Sequence, residues 1–105
     1  MRIRDEQNET LSDQAAAARD YLAAVCKSIV GVPERVRVEV FETPHRITLR
    51  PVCEVTDTGK IIGSGGECFR AIKSLMDDYA SQQGMAETVE VSRVKPHKDG
   101  AQHKN

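Results

Sequence analysis

The chain has 105 residues, which is the size of one domain with a modest hydrophobic core. Its composition is 39% hydrophobic and 30% charged with a net charge of -1, which excludes a disordered or fibrous protein. With two tyrosines, two phenylalanines and no tryptophan, nucleic-acid binding through a ladder of stacked aromatic rings is also excluded.

Targeting segments and cysteine chemistry add little. No apolar run is long enough to span a membrane, and the charged N-terminus does not precede the apolar stretch of a secretory signal. The three cysteines, Cys26, Cys53 and Cys68, are odd in number and lack a CxxC pair. A disulfide framework and a zinc site are therefore poor interpretations, and we expect reduced thiols in the cytoplasm.

The first half predicts a helix followed by a hairpin. A helical stripe predicts a helix over about 11–30, which Gly31 and Pro33 end; its members are Leu11, Ala15, Ala18, Leu22, Val25 and Ile29. Residues 34–40 and 46–50 alternate between apolar and charged, as in two antiparallel strands. Pro51 lacks an N–H group, which predicts an edge position or a bulge.

The second half predicts a short helix ending at Gly63, a helix over 67–83 and a strand over 88–91. We therefore predict an α+β domain of order α-β-β-α-α-β, with helices packed on one face of a three-stranded sheet. The domain is expected over residues 11–94. Residues 1–10 are expected to be a flexible N-terminal segment, and residues 95–105 a polar, basic C-terminal tail.

The most informative segment is the sequence Gly63-Ser64-Gly65-Gly66, here called the glycine loop, which lies between two predicted helices. Free N–H groups and the positive end of the second helix dipole would make this corner a phosphate site. The alternative is that glycine only allows a tight helix–helix corner. The spacing fits neither a Walker loop nor a dinucleotide-binding fingerprint.

In this element order the chain resembles a type II KH domain, most closely the small bacterial single-KH RNA-binding proteins of the KhpA type. The resemblance covers about 21–94. It depends on the glycine loop, on the preceding run Asp57-Thr58-Gly59-Lys60-Ile61-Ile62, and on Ile72.

The resemblance implies a loop that clamps the backbone of about four nucleotides of single-stranded RNA. Gly63, Ser64, Gly65 and Gly66 would contact phosphates, while Ile61, Ile62 and Ile72 would line a groove for bases. Lys60, Arg70 and Lys73 would attract the backbone. It further implies an RNA chaperone or post-transcriptional regulator without a cofactor, forming a homodimer or a heterodimer with a Jag-like KH protein.

The loop departs from the family pattern, which usually has lysine or arginine where Ser64 and Gly65 stand and often a basic residue at Glu67. Either other cations supply the affinity, or the domain is a protein-interaction or dimerisation module, or a ribosome-assembly factor on the same fold. The candidate cations are Lys95, Lys98 and Lys104 of the tail and Arg35, Arg37, Arg46 and Arg50 of the hairpin.

Nothing in the sequence builds a catalytic or metal site. His45, His97 and His103 have no ligand-like spacing, and Cys68 at a helix start has no recognisable histidine partner. Cys26 and Cys53 are expected to be small buried hydrophobic residues. We therefore expect a binding protein and not an enzyme.

Overall fold

The computed structural model describes residues 2–4 and 11–97. It confirms the α+β architecture and the predicted order of helices and strands. The helices are α1 (Asp13–Lys27), α2 (Thr58–Ile62) and α3 (Glu67–Gln82), and the strands are β1 (Arg2–Arg4), β2 (Arg37–Glu42), β3 (Arg46–Cys53), β4 (Thr88–Val91) and β5 (Lys95–Pro96).

Helix α1 is shorter than its apolar stripe predicts. It begins after Ser12, whose hydroxyl oxygen accepts a hydrogen bond from the Ala15 N–H at 3.1 Å. At the other end, the N–H groups of Ile29 and Val30 both bond to the Cys26 carbonyl, which closes the helix in a turn. Ile29 therefore packs against the core from outside the helix.

The sheet contains the three predicted strands and two short additions. Antiparallel β2 and β3 form the hairpin, and β4 runs parallel to β3. β1 pairs antiparallel with β2, and β5 pairs parallel with β3 beyond the end of β4. β1 lies in the segment expected to be flexible and β5 in the expected tail; the rest of these two segments, residues 1, 5–10 and 98–105, lies outside the described residues.

Pro51 lies in the central strand β3, not at an edge as expected. The Ser92 N–H bonds to the Leu49 carbonyl at 2.7 Å, so alternate residues of β3 from Leu49 onward turn their backbone groups toward the β4 side. There Pro51 meets residues 92–94, where the neighbouring edge is interrupted between β4 and β5. The irregularity is in the neighbouring strand, and the missing N–H of Pro51 faces it.

One face of the sheet packs against the helices and forms the core. Its strand residues are Val38, Val40, Ile47, Leu49, Val89 and Val91. Between the helices, the Tyr21 and Tyr79 rings stack with centroids 4.6 Å apart and an interplanar angle of 14°. None of the helices in the described ranges is long and apolar enough to cross a membrane.

Candidate nucleic-acid interface

Three of the four residues in the glycine loop have backbone angles that favour glycine. Gly65 (φ 61°) and Gly66 (φ 79°, ψ 13°) are left-handed, while Gly63 (φ 79°, ψ 171°) lies in a region that is essentially reserved for glycine. The Gly66 N–H bonds back to the Gly63 carbonyl at 3.1 Å, which closes the turn. The loop thus reverses the chain between α2 and α3 within a few residues.

Gly63 is also needed because α3 approaches it closely. A Cβ atom at this position would lie 2.6 Å from the Cβ and 2.7 Å from the backbone nitrogen of Cys68. A Cβ at Gly65 would meet nothing within 4 Å. Gly63 therefore serves close packing, while Ser64 and Gly65 are exposed at the outer tip of the loop.

The loop delivers the N-terminus of α3 to the surface. Gly66 is the N-cap and has no side chain to bond the N–H groups of the first turn. The Glu67 N–H donates to the Ser64 carbonyl, and the N–H groups that follow it can meet an external anion. Arg70, one turn into the helix, folds back and donates from Nη1 to the Gly65 carbonyl oxygen at 3.0 Å. A guanidinium group therefore lies beside a loop whose own sequence has no cation.

A groove of about 550 Å³ adjoins the loop between α3 and the β4 edge of the sheet. Ile62, which is 41% exposed, lies at one end of its apolar lining. Lys73 adds a cation, and its ammonium group lies 5.8 Å from the centroid of the Phe69 ring. The groove is lined by Ile62, Gly66, Phe69, Lys73, Val91, Arg93 and Val94.

The structure places two of the three residues expected to line the groove in the core instead. Ile61 is fully buried and Ile72 is 2% exposed, so both side chains belong to the core and neither lines the groove. Helix periodicity places them there because each points toward the sheet. Val91, Arg93 and Val94 were missing from the sequence-based set, since only the pairing of β4 with β3 brings them opposite α3.

Lys60 does not line the groove but pairs with a buried carboxylate. Its Nζ atom lies 3.2 Å from Asp57, whose oxygens also accept the N–H groups of Gly31 and Val32 at 3.0 Å each. The pKa of Asp57 is lowered, and the largest cause is the hydrogen bond from the Gly31 N–H. Together with the bond from Val32 and the charge of Lys60, it outweighs the opposing effect of desolvation. This arrangement ties the turn after α1 to the start of α2.

The hairpin arginines are all engaged in ion pairs. Arg35 bonds to Glu54 and Arg46 to Glu90, each at 3.0 Å. Glu39 pairs with Arg37 at 3.4 Å, with Arg50 at 2.9 Å and with Lys95 at 3.4 Å. Of the tail lysines, only Lys95 is described; Lys98 and Lys104 lie outside the described residues.

The cysteines are free, and two of them are buried as predicted. Burial, with smaller contributions from the charges of Cys53 and Cys68, raises the pKa of the Cys26 thiol to about 12. Cys26 therefore stays a neutral thiol at physiological pH. Within residues 11–97, no three His, Cys, Asp or Glu side chains are arranged to hold a metal ion.

Comparison with known proteins identifies the family. The family described as "KhpA/KhpB, KH domain" matches residues 19–92. Proteins named "RNA-binding protein KhpA" from Chlamydia caviae and Chlamydia pneumoniae are each 31% identical over 77 residues, covering 73% of this chain and 99% of theirs. That of Chlamydia trachomatis serovar D is 29% identical over 73 residues, 70% of this chain and 94% of its own. The chain thus belongs to the KhpA/KhpB KH-domain family.

Proposed function

We propose that this protein binds single-stranded RNA, with the glycine loop holding the phosphate backbone and the adjoining groove taking the bases. The relatives' shared name, RNA-binding protein, supports RNA as the ligand. The observation that carries the proposal is the union of an uncapped helix N-terminus with an apolar groove that has cations at its edges.

The placement of the cations favours RNA over a protein partner. Arg70 lies on the loop, and Lys73 and Arg93 line the groove, whereas Glu67 is the acidic residue of the first turn of α3. These three cations offset the missing basic residues at Ser64 and Gly65. An apolar surface built for a protein partner would have fewer charges within its lining.

Low sequence selectivity follows from this mode of binding. Main-chain N–H groups and cations recognise phosphates, which are the same in every nucleotide. Such binding suits an RNA chaperone or post-transcriptional regulator acting on many transcripts. A single small module binds weakly, so pairing with a second copy or with a Jag-like KH protein would raise affinity through effective concentration.

The test is fluorescence anisotropy of a labelled, unstructured RNA titrated with the protein at several salt concentrations. The variant Ser64→Asp/Gly65→Asp adds two negative charges at the loop tip, where the structure has room for them. We expect it to weaken binding by at least about tenfold, because the two carboxylates repel the RNA phosphates. The salt slope should also fall by roughly 0.7 for each phosphate contact that is lost.

The matched control is Ser81→Asp/Gly84→Asp, which makes the same two changes at the other end of α3, on an exposed serine and on an exposed left-handed glycine with no atom within 4 Å of an added Cβ. It should bind RNA as the parent protein does. Equal binding by the loop variant and the parent would refute the loop as the phosphate site. Absence of binding by the parent at low salt would refute RNA binding by the isolated chain.

A further inference from the structure

A second cationic surface lies on the sheet face opposite the helices. Arg37, Arg50 and Lys95 converge there on Glu39, and we call these four residues the sheet-face cluster. One carboxylate balances only one of the three cations, so two positive charges are in excess. Elsewhere on the described part of the sheet, Arg46 pairs with Glu90, one cation with one carboxylate.

Strand register explains how the cluster is assembled. Val52 of β3 is paired with Arg37 on one side and with Lys95 on the other, so the three form one row across the sheet. Adjacent strands are about 4.8 Å apart, which makes this row roughly 10 Å wide. Val52 is 1% exposed yet lies outside the main core cluster, as expected for a residue between the aliphatic stems of Arg37 and Lys95.

The cluster is held in place but still accessible. The exposed side-chain fraction is 38% for Arg37, 31% for Arg50 and 30% for Lys95, against 11% for Glu39. Arg50 is further fixed by the Phe41 ring, with its Cζ 4.8 Å from the ring centroid. Three cations held together around one carboxylate repel each other, and this repulsion is relieved by an incoming anion.

The cluster is continuous with the groove through one edge of the sheet. Arg93 lines the groove, and Lys95 follows two residues later in β5, a separation of about 7 Å along an extended chain. A strand of RNA that leaves the groove over this edge therefore meets Lys95 first and then Arg37 and Arg50.

We propose that the sheet-face cluster is a second phosphate-binding surface that holds the part of a longer RNA strand extending beyond the groove. This inference rests on the proposed binding of single-stranded RNA by this protein. It predicts that affinity grows with RNA length beyond the few nucleotides that the loop and groove hold, and that the additional affinity depends on salt.

The variant that isolates the excess charge is Arg37→Gln/Lys95→Gln. It removes two cations and retains Arg50, the partner with the shortest distance to Glu39. The control Arg19→Gln/Lys27→Gln removes the same charge from α1, in the helical layer on the other side of the sheet. Thermal unfolding verifies that both variants are folded, and Lys95→Gln alone serves as a milder version that leaves Arg37 and Arg50 on Glu39.

Two uridine oligomers are compared, one of about four nucleotides that fits the loop and one of about 12 nucleotides. For the longer RNA, we expect the double variant to lower the salt slope by roughly 1.4 and Lys95→Gln by roughly 0.7, while the control leaves it unchanged. The shorter RNA should bind all of these proteins equally.

An unchanged slope for the longer RNA in the double variant would overturn the inference and reduce the cluster to an internal ion network. The proposed function fails in a different way. If Ser64→Asp/Gly65→Asp had no effect on the shorter RNA but the double variant still lowered the longer RNA's slope, the loop proposal would be wrong and the sheet-face surface would stand.

Discussion

At the scale of single residues, the glycines of the loop have separate tasks. Gly63 allows α3 to approach α2, whereas Gly65 stands at the open tip of the turn. The sequence motif does not distinguish them, because both appear only as glycines between two helices. The backbone angles and the distance to Cys68 make the distinction.

We therefore expect Gly63→Ala to destabilise the protein far more than Gly65→Ala. At Gly63 the added methyl group meets Cys68 and the backbone angles are strained, which together should lower the free energy of unfolding by about 3 kcal/mol or more. At Gly65 only the strain of a left-handed residue applies, about 1 kcal/mol. Urea unfolding of both variants measures the difference, and equal losses would contradict the assigned role of Gly63.

Lys60 has a structural partner that its place beside the motif does not indicate. The sequence places it three positions before the loop, where the resemblance implies attraction of RNA. In the structure its ammonium group lies beside the buried Asp57 carboxylate. The ammonium group thus helps to balance the charge of a buried carboxylate, while the attraction of RNA by Lys60 stays a prediction.

At the scale of elements, the N-terminus of α3 serves two opposed requirements. Glu67 in the first turn stabilises the helix dipole, but the same negative charge repels a phosphate at the adjoining loop. Helix stability and RNA affinity should therefore respond to this residue with opposite signs.

The prediction is that Glu67→Lys lowers the free energy of unfolding by about 1 kcal/mol while tightening RNA binding a few-fold to about tenfold. Asp78→Lys makes the same change in charge on an exposed residue three turns further along α3 and should leave the affinity nearly unaltered. Titrations at two salt concentrations, with thermal unfolding of both variants, test this. A tightening of equal size in Asp78→Lys would attribute the effect to net charge alone.

Helices α1 and α3, the hairpin and β4 could be predicted because each has a periodic pattern within its own few residues, and α2 because Gly63 marks its end. β1 and β5 have no such pattern, being two or three residues long and defined by the strands beside them. The lining of the groove was likewise only partly predictable, because part of it is defined by contacts between elements. Ile62 could be named from its place beside the loop, but Val91, Arg93 and Val94 become neighbours of α3 only through the parallel pairing of β4 with β3.

At the scale of the whole molecule, the boundary between domain and tail has an energetic consequence. A boundary at residue 94 follows from composition, yet β5 continues the sheet edge, with the His97 N–H bonded to the Cys53 carbonyl at 3.0 Å. Lys95 also contributes to the sheet-face cluster. Shortening the chain at that boundary removes more than a polar tail.

A chain ending at Val94 should therefore be less stable than one ending at His97. The loss of a few strand hydrogen bonds predicts a difference of roughly 1–3 kcal/mol in the free energy of unfolding. Denaturant unfolding of the two truncated chains and the parent measures it. If the two truncated chains unfolded at the same denaturant concentration, β5 would contribute nothing to the fold.

The stacked pair of tyrosines gives the molecule an internal reporter. The chain has two tyrosines and no tryptophan, so every phenol chromophore lies at the contact between α1 and α3. Tyrosine fluorescence therefore reports on the contact between these two helices. A change in tyrosine emission when RNA is added, after correction for the light that the RNA absorbs, would mean that binding at the loop reaches the far end of α3, without a label attached to the protein.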